Sequence, residues 1–75
     1  MPRYFFDLEH EPSPDEEGVE LSDDDRARAE AVQFMGHYLR DHPEMSWQGQ
    51  EIRVIVRNEA GDVLFTVVTL AIACQ

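Results

Sequence analysis

Apolar and polar residues alternate along three segments of the chain, a pattern typical of strands that cover a core with one side. The first segment is Arg3–Leu8, in which every second residue from Tyr4 onward is apolar. The other two are residues 51–57 and 62–70, which flank the turn-like residues 58–61. The pattern predicts one separate strand and one hairpin.

A four-residue loop in this hairpin would set Arg57 opposite Asp62. Pairing register and the period of two are linked, so this loop also decides which side chains share a face. One face is then apolar, with Ile52, Val54 and Val56 opposite Val67, Phe65 and Val63. The other face carries both apolar and charged residues, with Ile55 opposite Leu64 and Arg53 opposite Thr66. We expect a contact surface on this mixed face.

A helix is predicted between the first strand and the hairpin. Ser22 or Asp23 is a suitable N-cap, and the acidic residues that follow are stabilised by the positive end of the helix dipole. Pro43 predicts the end of the helix at residues 41–43, because a proline disfavours helical backbone in the residue before it. Apolar residues at helical spacing predict the face that packs on the sheet: Ala27, Ala31, Val32, Phe34, Met35, Tyr38 and Leu39.

These elements predict a single α+β domain over residues 1–75, in two layers and in the order β-α-β-β. One helix packs on a three-stranded, mainly antiparallel sheet. A right-handed crossover would make the first strand parallel to the second. The third strand is expected in the centre, antiparallel to both, because it is the longest and most apolar and least suits an edge.

Charge limits the class of partner. The chain has 16 Asp and Glu against 6 basic residues, which gives a formal net charge of −10. Such a charge disfavours nucleic acid and anionic membranes as partners. The most apolar stretch, residues 63–74, is too short to span a bilayer. With one cysteine, no secretory signal and a thin core, we expect a cytoplasmic protein that self-associates.

The acidic clusters and histidines do not form a recognisable metal site. Residues 15–17 and 23–25 are consecutive acids, whereas a calcium loop alternates its ligands, so solubility and helix capping explain them better. His10, His37 and His42 lack the short regular spacing of zinc ligands and are expected to face solvent. We therefore predict no bound metal.

No residue pattern indicates catalysis or a cofactor. Cys74 lies next to the chain end, without the fixed environment that lowers a thiol pKa. Trp47 either stacks on a ligand or closes one end of the core, and we favour packing. No pair of carboxylates is singled out by position, and the glycines are isolated rather than grouped in a phosphate-binding loop. We predict a protein that is not an enzyme and has no cofactor.

Three stretches of the chain resemble a known family. They are the opening MPRYFFD, then DEEGVEL at residues 15–21 and ARAEA at residues 27–31. Together they resemble a family of small alphaproteobacterial proteins classed as a domain of unknown function, and residues 54–62 continue the similarity. The resemblance implies source, size and compartment, but no catalytic residue. More loosely, the order of strand, acidic-Gly loop and helix resembles an antitoxin of a bacterial toxin–antitoxin pair, although such antitoxins usually place more strands before the helix.

We therefore predict a non-catalytic interaction module, most simply a homodimer formed through the uncovered sheet face or the sheet edge. The predicted partner-binding residues are Arg3, Phe5, Arg53, Ile55, Arg57, Leu64, Val68 and Leu70. In a competing interpretation, Arg53 and Arg57 cover the apolar side chains, Arg57 pairs with Asp62, and nothing binds. An alternative function is an acidic binder that mimics nucleic acid and occupies a basic groove on another protein.

Overall fold

A computed structural model of the chain describes residues 1–9, 13–44 and 51–72. One helix packs on an antiparallel sheet, so the predicted α+β class is confirmed. The elements are β1 Arg3–Leu8, β2 Val19–Glu20, α1 Asp24–Asp41, β3 Ile52–Arg57 and β4 Val63–Thr69. Within the described residues the sheet has four strands rather than the predicted three, because β2 adds a short strand, and their order is β2-β1-β3-β4. The expectations for His10, Trp47 and Cys74 concern residues outside the described ranges.

The predicted strand order is wrong. The first hairpin strand, β3, is central, and β4 lies at the edge of the sheet. β1 runs antiparallel to β3, not parallel to it. The reason is the short strand β2, which pairs antiparallel with β1 through Tyr4 and Val19. This pairing reverses the chain before α1 begins, so the strands that α1 connects are β2 and β3. Both are antiparallel to β1 and therefore parallel to each other, so the crossover rule concerns this pair and not β1 and β3.

Local signals set the ends of α1 as predicted. Asp23 is the N-cap, and its Oδ1 accepts a hydrogen bond from the backbone N–H of Arg26 at 2.8 Å. The helix ends at Asp41, and the backbone N–H of the C-cap His42 donates to the carbonyl of Tyr38 at 2.9 Å. The caps satisfy main-chain groups that the helix itself leaves unpaired.

The face of α1 that packs on the sheet is narrower than predicted. Ala27, Ala31 and Met35 are buried, and they recur every fourth residue. Val32 is 60% exposed and Phe34 is 39% exposed, so the prediction that both help cover the sheet is wrong. The two fully buried alanines allow the helix axis to lie close to the sheet along this stripe. Val32 and Phe34 therefore point to the sides of the helix instead of onto the sheet.

The core lies between α1 and the two strands β1 and β3. On β3 every second residue is almost fully buried, as the alternation predicts. Tyr4 of β1 is also buried, and its hydroxyl donates to Oδ1 of Asp24 at 2.7 Å, which joins the sheet to the first turn of the helix. The buried residues are Tyr4, Leu8, Leu21, Ala27, Ala31, Met35, Ile52, Val54 and Val56.

The hairpin register differs from the prediction at two places. The backbone N–H of Asn58 donates to the carbonyl of Asp62 at 3.0 Å, so these two residues close a three-residue loop rather than a four-residue one. A second shift occurs between Val56 and Arg57, where β4 has an extra residue. Beyond it Val54 pairs with Val67. The two shifts of one residue add to two, so the predicted apolar face is kept beyond the bulge.

The bulge changes the positions of the residues next to it. Val63 pairs with Arg57, opposite a residue of the other face, and is 60% exposed rather than in the core. Leu64 was expected to be uncovered, but it is half-buried and packs against the core. An inserted residue explains both differences, because alternation of side chains fails where two residues face one.

Candidate protein-interaction surface

The side of the sheet that faces away from α1, here called the reverse face, holds most of the predicted partner-binding residues. Cross-strand pairs place Phe5 next to Arg57 and Arg53 next to Val68. Arg3 and Ile55 follow from the alternation along β1 and β3, and Leu70 lies directly after β4. Phe5 and Ile55 are half-buried, whereas Val68 and Leu70 are about half exposed. The predicted patch therefore divides into a covered half near β1 and an open half near β4.

The covered half is closed by residues 13–18, which lead into β2. Gly18, at φ +70°, passes so close that a Cβ there would lie 2.9 Å from the Phe5 ring and from Cγ of Arg3. On Phe5, the guanidinium carbon of Arg57 lies 5.1 Å from the ring centroid, within range of a cation–π contact. The chain itself thus covers Phe5, which sequence reasoning had left uncovered.

Asp15 holds this loop in place. Its Oδ2 accepts from the backbone N–H of Phe6 at 3.1 Å, and its Oδ1 accepts from the N–H groups of Glu17 and Gly18 at 3.2 Å each. Its own N–H donates to Oδ1 of Asp7 at 2.8 Å. These bonds fold the loop as an Asx-type turn and attach it to β1. The acidic-Gly motif at residues 15–18 is therefore explained by local structure.

Arg57 completes the closure and is paired with Asp7, not with Asp62 as the competing interpretation expected. Its Nε and Nη2 both donate to the Asp7 carboxylate, and its Nη2 also donates to the carbonyl of Asp15 at 3.1 Å. The hydrogen bond from Arg57 holds the pKa of Asp7 below its usual value, and the N–H of Asp15 acts in the same direction. Burial opposes this shift but does not overcome it.

The other two arginines of the predicted patch also have acidic partners. Nη2 of Arg3 lies 2.9 Å from Oε1 of Glu20. Arg53 donates to Oε2 of Glu51 and lies 3.7 Å from Glu9. The three arginines predicted to bind a partner are thus engaged in ion pairs at the border of the reverse face. Exposed pairs of this kind contribute little stability, but they neutralise the local positive charge.

The open half comprises the exposed residues of β4 and of the chain after it. Thr66 and Val68 point away from α1, and Leu70 and Ile72 continue the exposed apolar surface. Val63 and Ile72, which are 60% and 76% exposed, were not predicted as part of the surface. A sequence signal for them existed, because no Asp, Glu, Lys or Arg occurs from residue 63 to residue 75.

A cleft of about 270 Å³ lies on the opposite side of the sheet, between α1 and the β1–β2 edge. Phe6, Val19 and Phe34 supply its apolar lining, with His37 among the polar residues. The carboxylates at its border are already engaged, since Glu30 pairs with Arg26 at 2.9 Å and Asp15 binds the loop. The cleft is a consequence of the narrow packing stripe of α1, and both carboxylates among the described residues that line it already have partners.

The described parts of the chain contain neither a cluster of metal ligands nor a membrane-spanning helix. No group of three or more His, Cys, Asp or Glu residues there is placed to hold a metal ion. His42 contacts Glu44 and stacks on Tyr38 at 4.6 Å between ring centroids. No helix among the described residues is long and apolar enough to cross a membrane.

Comparison with known proteins confirms the resemblance to a domain of unknown function. Residues 3–71 match a domain of unknown function, DUF6894. The chain belongs to this family. The matched region of the DUF6894 protein contains the whole described sheet and α1. No curated protein and no solved structure matches the chain.

Proposed function

We propose that this DUF6894 protein is a non-catalytic, cytoplasmic interaction module of bacterial origin that self-associates through the open half of its sheet. The observation that carries the proposal is the edge position of β4, a seven-residue apolar strand with exposed Val63 and Val68. An exposed apolar edge strand invites pairing with another chain unless charge, proline or a covering segment blocks it. β4 itself contains neither charge nor proline.

The distribution of charge favours this surface as the place where two copies of the chain meet. Two molecules that each carry −10 repel each other wherever their acidic faces approach. Residues 63–72 are the described part of the uncharged run, so contact there opposes the fewest like charges. Association would also add buried apolar surface to a 75-residue chain, whose own core is small.

The proposal predicts that Val68→Glu prevents self-association and leaves the monomer folded. Val68 is half exposed on the open half, so a glutamate there costs the monomer little but places like charges together in a dimer. Val32→Glu is the matched control, because Val32 is similarly exposed on α1 and the change in net charge is the same. The mass in solution, measured by light scattering, should fall to that of a monomer only for Val68→Glu. Equal masses for the two variants would contradict the proposal.

A second candidate is the acidic binder that occupies a basic groove on another protein. It is favoured by the arginines, since within the described residues every arginine except Arg28 lies within ion-pair distance of a carboxylate. Arg28 instead lies 5.6 Å from the Phe65 ring centroid. The remaining carboxylates give the surface a strongly negative potential. Binding of this kind should weaken steeply as salt is added, whereas self-association of like-charged molecules should strengthen.

A further inference from the structure

We infer that β4 pairs antiparallel with β4 of a second copy, with Thr66 of each chain opposite Val68 of the other. The inference deepens the proposed function and depends on it, because it assigns strand pairing and a register to the self-association. It predicts one continuous sheet across the dimer, with both α1 helices on the same face.

The direction of the main-chain groups follows from the contacts of β3. The N–H of Glu9 donates to the carbonyl of Arg53 at 3.0 Å, so the main-chain groups of Arg53 point toward β1. Neighbouring residues of a strand direct these groups to opposite sides, so Val54 directs its groups toward β4 and its partner Val67. Thr66 and Val68, the neighbours of Val67, therefore direct their N–H and carbonyl groups outward. Within the described residues no strand lies beyond β4 to receive them.

The register follows from the regular length of β4. The bulge beside Leu64 distorts one end of the strand, and Thr69 is its last residue. Thr66 and Val68 are the outward-directed residues between these limits. In symmetric pairing centred on Val67, Thr66 of each copy lies opposite Val68 of the other. Each of these two pairs can then form two main-chain hydrogen bonds. A centre on Thr66 would use the bulge, and a centre on Val68 would use residues after β4.

The side chains fit the same arrangement. Thr66 and Val68 are exposed on the reverse face, and cross-strand contact between β-branched side chains stabilises a sheet. The acidic hairpin loop, which holds Glu59 and Asp62, lies at the end of the hairpin and outside the paired region. The two chains therefore approach each other without opposed carboxylates in the paired segment.

The first test removes only an outward N–H. Thr66→Pro eliminates this donor, and proline is tolerated on an edge strand where its nitrogen faces solvent. Thr66→Val keeps the N–H and is the matched control. We expect the dimer dissociation constant to rise more than about tenfold for Thr66→Pro, since two symmetry-related bonds are lost, and to change little for Thr66→Val. Circular dichroism checks the fold, and Thr66→Lys provides a second edge variant that keeps the N–H but brings a charged side chain into the paired segment of each copy.

The second test measures the register by disulfide formation in a Cys74→Ser background. Directly opposite, hydrogen-bonded residues have Cα atoms about 5.5 Å apart, within disulfide range. A mixture of Thr66→Cys and Val68→Cys proteins should therefore form a mixed disulfide dimer faster than either protein alone. Faster cross-linking of Thr66→Cys alone would overturn the register.

The outcomes separate this inference from the proposed function. A wild-type chain that stays monomeric at all concentrations would overturn both. A dimer that Val68→Glu disrupts but Thr66→Pro leaves intact would overturn strand pairing and retain the open half as the contact surface, as in a face-to-face dimer. The inference is supported if Thr66→Val forms a dimer while Thr66→Pro folds but stays monomeric.

Discussion

Gly18 is the residue on which closure of the reverse face depends most directly. It combines a positive φ with contact to the side chains of Arg3 and Phe5 and to the carbonyl of Tyr4. A side chain at this position would meet strained backbone and occupied space at the same time. The glycine of the acidic-Gly motif is thus required by the packing of the loop on β1.

Gly18→Ala should accordingly destabilise the fold by more than about 1 kcal/mol, because the added methyl group cannot be accommodated without moving the loop. Gly36→Ala is the control, since no atom lies within 4 Å of a Cβ built there and alanine favours a helix. That change should stabilise the protein by up to about 1 kcal/mol. Urea denaturation measures both variants. A neutral effect of Gly18→Ala would show that residues 13–18 do not pack as described.

Tyr4 gives the fold a dependence on alkaline pH. The hydrogen bond to Asp24, with smaller effects of burial and of the nearby carboxylates, raises the pKa of Tyr4 from 10.0 to about 12. The folded state therefore favours the protonated phenol. This contribution is complete below pH 10 and is lost as the pH rises toward 12.

We expect the wild-type free energy of unfolding to decrease between pH 10 and pH 12, and this decrease to be smaller in Tyr4→Phe, which has no phenol to ionise. Unfolding in urea at several pH values in this range measures the difference. Parallel pH profiles for the two proteins would contradict the assigned hydrogen bond.

At the scale of secondary structure, the sequence predicts what local chemistry determines. The ends of α1 were predictable because Asp23 and Pro43 act on the backbone beside them. The apolar alternation of β3 was equally visible. The edge position of β4 was not, because it depends on the pairing of β1 with β3, whose partners Phe6 and Val56 are far apart in the sequence.

The candidate site was predictable only where local alternation determines which face a side chain lies on. Val68 and Leu70 follow from alternation and are exposed as expected. Phe5 is covered because Asp15 folds a loop back onto β1, and no periodic pattern marks that contact. The hairpin loop and the bulge each shift the register by one residue. Together they leave Val67 on its predicted face, although opposite Val54 rather than Ile52, whereas Val63 changes face.

The loop itself provides a test at this scale. Asp15→Ala removes the acceptor for three backbone N–H groups and should cost about 1–3 kcal/mol of stability. Glu16→Ala, which removes the adjacent exposed acid, should change stability by less than about 0.5 kcal/mol. Thermal unfolding of the two variants makes the comparison. Similar midpoints would contradict the assigned role of Asp15.

At the scale of the whole molecule, charge and apolar surface are separated. Acidic residues occupy the first turn of α1, the loop 13–18 and the hairpin loop, whereas residues 63–72 carry no charge. The predicted consequence is self-association that is opposed by long-range repulsion and driven by contact at β4. Added salt should strengthen such association, because it screens the repulsion more than the apolar contact.

Sedimentation equilibrium of the wild-type chain, at several protein concentrations and at low and high salt, tests the self-association through β4 most directly. The account predicts a mass that rises with concentration from 8.7 kDa toward twice that value, and that rises further with salt. A mass of 8.7 kDa under every condition would contradict it.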